Sequence, residues 1–467
     1  MTHPTTPAKI LVIDKLDPEV LAMLQAFYSR SDKSIEERLP SLGDSEDSIK
    51  ANLRKWYLGY GHSSIAGCGD TTLFIENVSL LCAKAIQDDQ LYEGQETSTR
   101  YFDFEHRPCV SPLGEEFPQL TALQDELVAA YARLRPLVAA EILGQHPFKL
   151  SSNSEDSPAL QAKKWENAIN ARAFDIVRGI LPAGITTQLS WKGSLRRVSE
   201  RLHTLIEHPC SEISGIASSA NSVLCERYPN SFKQPPTLAP PLFPFYDLDS
   251  PGADKEIQIG EVGYTLAKFR ELSDNTFSDY LRVRERQHVV PNYFNLCGEF
   301  MFEFLLDFGS FRDVQRHRNS LTPLPLLGSY TINGYSNMFH PWYLEQLGPY
   351  GDEVTGLLAK VYATIDEVLL EMSSLGKDMY HAHAEMQYYY PLGTVVPVTA
   401  VYGLAEAIYV SELRTSSTVH PTLRQIAHGF AEALQKEYPE ISLYTDNTPD
   451  GFVLRRGGQT IFAQEDL

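Results

Sequence analysis

Between residues 229 and 251 the chain reads PNSFKQPPTLAPPLFPFYDLDSP and holds seven prolines. Proline lacks the backbone donor and fixes φ, so neither a helix interior nor a central strand passes through such a segment. The chain is thereby divided into two nearly equal parts. The expected organisation is an N-terminal domain at 1–230, a Pro-rich linker at 231–251 and a C-terminal domain at 252–467. The aromatics Phe243, Phe245 and Tyr246 point to a linker packed against a domain.

The two parts resemble each other weakly. In the first, a helix-like apolar run (Leu73, Phe74, Val78, Leu81, Cys82, Ala85) leads through a polar turn to Arg100-Tyr101. An amphipathic helix follows, with Leu120, Leu123, Leu127, Tyr131 and Leu134 at helical spacing. Next come a helix ending at Leu181-Pro182-Ala183-Gly184 and another from about Gly193 to Ile206. In the second part, Leu296 to Phe311 leads into Arg316-His317-Arg318. A helix with Val354, Leu358, Val361, Ile365 and Val368 follows, then Tyr390-Pro391-Leu392-Gly393 and a helix ending near Leu413. The Pro–Gly element at Pro182 recurs at Pro391. Shared order at a near-constant interval suggests a duplicated domain, although helical proteins also share such orders by chance.

Composition narrows the classes. Forty Lys and Arg stand against 60 Asp and Glu, a net charge of −20. That argues against general nucleic-acid binding, which needs a basic surface, but leaves room for a local anion pocket. The six cysteines form no C-x-x-C pair, so neither a zinc site nor a disulfide framework is signalled. No secretory leader is evident at the N-terminus, and no apolar stretch approaches the roughly 18–20 residues of a membrane span. A soluble, cytoplasmic protein is expected. Phosphate-loop, H-E-x-x-H and G-x-S-x-G motifs are absent, and Gly67-Cys68-Gly69 lacks the third glycine of a dinucleotide fingerprint.

Five short stretches remain. In Gln95-Glu96-Thr97-Ser98-Thr99-Arg100-Tyr101, extended backbone would point Glu96, Ser98 and Arg100 the same way. Ser and Arg suit phosphate oxygens, and Glu can accept from a sugar hydroxyl; a solvated turn with an internal salt bridge is the alternative. Arg312 and Arg316-His317-Arg318 are either cations at a helix C-terminus or an anion or flavin site. Gly61-His62-Ser63-Ser64 reads equally as a turn with a serine cap. Arg414-Thr415-Ser416-Ser417-Thr418-Val419-His420-Pro421 ends one helix and starts another, with proline at the first position. His381-Ala382-His383 would share a face on a strand. The local periodicity is helical, which points the two histidines about 200° apart and disfavours a metal site.

Two of these stretches together resemble the flavin-dependent thymidylate synthases (ThyX). Gly61-His62-Ser63-Ser64, the run Phe74 to Ser79 and Glu96-Thr97-Ser98-Thr99-Arg100-Tyr101 look like that family's histidine-led segment, apolar helix and signature R-H-R-x-x-S-x-x-E-x-S-x-R-Y. The N-terminal half keeps Glu96, Ser98, Arg100 and Tyr101, but its R-H-R positions are Asp88, Asp89 and Gln90. The C-terminal half keeps Arg316-His317-Arg318 and has lost the rest. Arg178, four residues before Pro182, matches one nucleotide-binding arginine of the family, and its C-terminal counterpart is Gln387. Arg414 matches another, with Thr204 or a neighbour as counterpart. Each element survives in one half only, which suggests one composite site assembled from both.

The resemblance implies an α+β fold with two tandem synthase-like domains forming a pseudo-dimer. It implies FAD as cofactor, NADPH and methylenetetrahydrofolate as co-substrates, and methylation of dUMP at C5. Arg414 and Arg178 would stabilise the enolate-like pyrimidine. Glu96, Ser98 and Arg100 would bind the nucleotide with them. His62, Ser64, Arg316, His317 and Arg318 would contact the flavin. A homodimer of this chain would equal the family tetramer. The alternatives are an enzyme acting on another pyrimidine nucleotide such as UMP, or an inactive nucleotide-binding homologue.

Overall fold

The computed structural model describes residues 10–13, 15–29, 31, 34–38, 63–152, 154–232, 257–270, 276–286, 288–328, 331–332, 335–336 and 338–449. Most of the Pro-rich linker therefore lies outside the described residues, and so does its expected packing. The chain divides into two compact units: Met1–Leu73 with Trp191–Glu207 and Ser214–Pro241, and Phe74–Ser190 with His208–Ile213 and Leu242–Leu467. The fold is α+β.

In the first unit, helix Pro18–Tyr28 starts at Asp17, whose carboxylate accepts the Glu19 N–H at 3.0 Å. This satisfies one of the helix's orphan donors, and Pro18 in the first turn has no donor to orphan. Val20, Met23 and Ala26 form its buried stripe and pack with Ile65. Helix Leu195–Ile206 is capped by Ser194 and buries Leu195, Val198, Leu202 and Leu205, the spacing of one helical face.

The second unit is built around an antiparallel sheet of Val262–Lys268, Gly298–Asp307 and Val395–Gly403, with Gly298–Asp307 in the middle. Its buried face carries Phe300, Phe302, Phe304 and Leu306, set opposite Tyr402, Ala400, Val398 and Val396. Glu299, Met301 and Glu303 alternate with them. Phe430 of helix Pro421–Glu437 packs on this face, its ring 4.5 Å from that of Phe302. Burial of such aromatics stabilises by about 1.5–3 kcal/mol each. A second, two-stranded sheet pairs Asp70–Ser79 with Thr186–Ser194. The long helices Pro118–Gln145 and Gly351–Ser374 lie where the periodicity places them.

The apolar run near residues 73–85 differs from the helical expectation, and the run near 296–311 is built the same way. Each is a strand followed without a loop by a short helix: Asp70–Ser79 with Leu80–Gln87, and Gly298–Asp307 with Phe308–Val314. Ser79 and Asp307 sit at the junctions as helix caps, accepting the N–H of Cys82 and of Ser310. The cap supplies the acceptor that lets the backbone change from strand to helix in one residue.

Equivalent elements recur along the chain in the same order. The interval that separates Pro182 from Pro391 also separates strand Thr186–Ser194 from strand Val395–Gly403, and the turn Arg178–Ile180 from Gln387–Tyr389. Helix Leu80–Gln87 has its counterpart in Phe308–Val314, and helix Ser211–Arg227 in Pro421–Glu437. The two Pro–Gly elements meet. Ala183 N–H donates to Tyr390 O and Leu392 N–H to Leu181 O, both at 2.8 Å. Gly184 N–H donates to Tyr388 O and Gly393 N–H to Gly179 O, again at 2.8 Å. Each bond maps onto its partner when equivalent residues of the two halves are exchanged. The approach is close enough to require glycine: a Cβ on Gly184 would stand 2.6 Å from Val110 O, and one on Gly393 would stand 2.3 Å from the Phe339 ring.

Candidate functional site

A cavity of about 300 Å³ in the second unit is lined by Arg100, Arg178, Arg312, Arg316 and Arg414, with Asp313, Ser98, Tyr101 and Thr418 among the other walls. The five cations arrive on four elements. Arg100 leaves the irregular segment after Ser98. Arg178 follows the last turn of helix Pro158–Val177. Arg312 and Arg316 stand one helical turn apart in and just after Phe308–Val314, and Arg414 ends helix Leu404–Arg414.

Like charges at this density repel, so the way each is held decides what remains for a ligand. Arg100 grips Asp175 through two bonds, Nε to Oδ1 at 2.6 Å and Nη2 to Oδ2 at 3.0 Å. Arg312 donates to Thr99 Oγ1 at 3.0 Å and pairs with Glu96. Glu96 also meets Lys84 Nζ at 2.8 Å. Burial alone would raise the Glu96 carboxyl, but Arg312 and Lys84 bring it down to about 2. Arg316 reaches Asp313 Oδ1 at 3.4 Å and is half exposed. Burial would also raise Asp313; Arg316, Arg414 and Arg100 outweigh it and hold this carboxyl well below the ordinary range.

Arg178 and Arg414 make no ion pair among the described residues: Arg414 donates to His317 Nε2 at 2.8 Å and to Asp313 O at 2.7 Å, and Arg178, 2% exposed, donates Nη2 to Ser310 Oγ at 2.9 Å. Ser310 in turn touches His420 Nδ1 and Thr422 Oγ1, and Thr422 donates to Asp307 Oδ1 at 2.6 Å. Tyr343 donates to Asp307 Oδ2 at 2.7 Å. A buried hydroxyl–imidazole–carboxylate network therefore fixes the base of the cavity. Among the described residues the five guanidinium groups share three carboxylates, Asp175, Glu96 and Asp313, and Glu96 serves Lys84 as well. The surplus is positive, partly desolvated and preorganised, conditions in which a guanidinium binds phosphate or carboxylate strongly.

The residues singled out in the sequence distribute as follows. Ser98, Arg100, Arg178, Arg316 and Arg414 meet at the cavity. Glu96 turns instead into the pair with Lys84 and Arg312. His317 is buried, with Nε2 accepting from Arg414 Nε at 2.8 Å and Nδ1 facing Glu406 at 3.5 Å. Arg318 lies over the Tyr92 ring, 4.5 Å from its centroid. His62 is outside the described residues, and Ser64 lies in the turn Ser63–Cys68 of the first unit. His381 and His383 are on helix Met379–Met386, as their spacing implies. Asp175, Asp313 and Ser310 were not singled out. Asp175 stands three residues before Arg178 at the end of one helix, which was the one local signal available. Among the described residues no group of His, Cys, Asp and Glu could hold a metal ion, and no helix is long and apolar enough to cross a membrane.

The cavity is thus a cluster of cations brought together from secondary-structure termini in an α+β fold. Residues 11–230 match the family described as thymidylate synthase complementing protein. The chain is also similar to three proteins named UPF0159. One from Thermoplasma acidophilum is 25% identical, covering 83% of this chain and 87% of that protein. One from Chlamydia pneumoniae is 23% identical, covering 82% and 78%. One from Chlamydia muridarum is 25% identical, covering 66% and 70%.

Proposed function

We propose that this chain is a flavin-dependent thymidylate synthase, built as two fused family-type halves, that methylates dUMP at C5. Methylenetetrahydrofolate would give the carbon and NADPH the reducing equivalents. One observation carries the reading: Ser98, Arg100 and Arg178 from the N-terminal half line the same cavity as Arg312, Arg316 and Arg414 from the C-terminal half. A composite site requires this meeting, and the family match over residues 11–230 supports the reading. The proposal extends to a homodimer in the cytoplasm.

Whether the residues fit a flavin dinucleotide turns on donors for its anionic part. Arg312 keeps a buried Nε without a partner among the described residues, and Arg316 reaches the cavity half exposed. Such donors fit a pyrophosphate. Bound FAD would supply hydride. The chain's own part is to bind and orient. Ser98 and Arg100 hold the 5′-phosphate, with Arg100 fixed beforehand by Asp175. Arg178 and Arg414 take the charge that develops on the pyrimidine carbonyls as C5 becomes nucleophilic. Neither makes an ion pair among the described residues, and removal of one such donor typically reduces a rate about 10²–10³-fold. Holding nucleotide and cofactor in register supplies several kcal/mol more.

The test uses the purified full-length chain. Its absorption spectrum is recorded with FAD and then with dUMP, and tritium release from C5-labelled dUMP is followed with NADPH and methylenetetrahydrofolate. Flavin bands perturbed by dUMP and cofactor-dependent release are expected. Release from labelled UMP in preference to dUMP would move the assignment to the ribonucleotide. Absence of flavin uptake and of release would overturn the synthase reading.

A further inference from the structure

We infer that the chain carries one anion site, and that the position equivalent to it in the other half is closed by substitution. The inference takes from the proposed function only that the cavity binds a nucleotide monophosphate.

The paired elements carry each site residue onto a counterpart: Leu80–Gln87 onto Phe308–Val314, Arg178–Ile180 onto Gln387–Tyr389, and Ser211–Arg227 onto Pro421–Glu437. The scaffold at the two positions is the same. Leu80 N–H donates to Ile185 O and Phe308 N–H to Thr394 O, both at 3.0 Å. Ser79 Oγ donates to Glu212 Oε2 at 2.5 Å, and Thr422 Oγ1 donates to Asp307 Oδ1 at 2.6 Å. The hydroxyl and the carboxylate have exchanged strand and helix, and the bond between them survives. Cys210 stands where His420 does, and it donates to Ala384 O at 3.3 Å. His420 Nε2 lies 3.3 Å from Asp175 O, the equivalent carbonyl.

The charges have not survived. Gln387 replaces Arg178, Lys84 replaces Arg312 and Asp88 replaces Arg316. Gln387 is fully buried. Its Nε2 donates to Ala384 O at 3.1 Å and its Oε1 accepts from Leu327 N at 3.0 Å, so its amide is spent on the backbone. Lys84, the one cation kept, faces Glu96 and Gln87 instead of a cavity. Through Glu96 it braces Arg312, its own counterpart in the charged site. The altered half thus supports the site it does not duplicate. An anion at the equivalent position would meet neutral or acidic groups in a desolvated setting, which is unfavourable.

Isothermal titration of the full-length chain counts the sites, with dUMP and, separately, with pyrophosphate as a probe of the cation cluster alone. One ligand per chain for both is expected. Arg178→Gln should remove at least 100-fold in affinity and leave no residual second class of sites. Arg316→Gln, half exposed and safe for folding, should weaken pyrophosphate about tenfold at unchanged stoichiometry. Two sites per chain for either ligand would overturn the inference while leaving the proposed function standing. Pyrophosphate at one per chain with no dUMP binding would support the single site and count against the nucleotide reading. Failure of both ligands to bind would overturn the inference.

Discussion

Arg414 donates its Nε–H to His317 Nε2 over 2.8 Å, so this imidazole is neutral and carries its proton on Nδ1, toward Glu406 at 3.5 Å. Burial, with Arg414 adding to it, pushes the His317 pKa below its ordinary value, against Glu406 and Asp313. An unfolded histidine titrates near ~6.5. The folded state therefore binds fewer protons, and the stability carried by neutral His317 is full above that value and lost as pH falls through it. Glutamine keeps an acceptor without a titration. Urea unfolding at pH 8 and pH 5.5 should show the wild type losing about 1 kcal/mol more than His317→Gln. His317→Ala, which frees Arg414, should weaken dUMP about tenfold at pH 8 by titration calorimetry.

Glu96 bridges Lys84 and Arg312, and the cluster is buried. Glu96→Gln leaves two buried cations against a neutral amide, a change that typically costs about 3–5 kcal/mol. In the wild type the Glu96 carboxyl is held at about 2, below its unfolded value near ~4.3. Its contribution is present above the unfolded value and lost as pH falls toward 2. Thermal melts across pH 7 to 2.5 should show a steep acid loss in the wild type and a shallower one in Glu96→Gln.

Arg100 and Arg178 are neighbours at the cavity with opposite expected costs. Arg100→Gln removes the two-bond ion pair with Asp175, which is fully buried, and should destabilise by about 3–5 kcal/mol. Arg178 has no carboxylate in ion-pair reach among the described residues, so Arg178→Gln should change stability by less than about 1 kcal/mol. Denaturant midpoints for the two variants check this. Equal losses would contradict the ion-pair assignment.

Asp307 caps the helix that carries Arg312 and also accepts from Tyr343 and Thr422. Asp307→Ala removes three acceptor contacts in a buried place and should cost about 2–5 kcal/mol. Pyrophosphate affinity should fall with it, because the helix no longer holds Arg312 and Arg316 in place. Thr422→Val keeps the cap and should cost only about 1–2 kcal/mol.

The residues that line the cavity were more legible in the sequence than the architecture that gathers them. Ser98, Arg100, Arg178, Arg316 and Arg414 follow from motif fragments that survive in one half each. Glu96 did not go where two-residue alternation would send it, because Lys84 reaches it from the preceding helix and Arg312 from the other half of the chain. Only the tertiary fold brings such partners together. The strand at Asp70–Ser79 reads as a helix because it runs into one with no polar break. The run of the same build at Gly298–Asp307 carries the strand signal openly: Phe300, Phe302 and Phe304 alternate with Glu299 and Glu303, a period of two. Apolar runs that change period midway hide the change unless each window is counted separately.

Arg178 and Gln387 occupy the same turn on either side of the Ala183–Tyr390 and Leu181–Leu392 hydrogen bonds. In an assembly of identical subunits a substitution at such a turn is always made twice, and both copies of a site change together. Here the two turns are encoded separately. Selection can keep an arginine in one and let the other drift to whatever packs best, so the chain is free to become asymmetric in a way that no homodimer can.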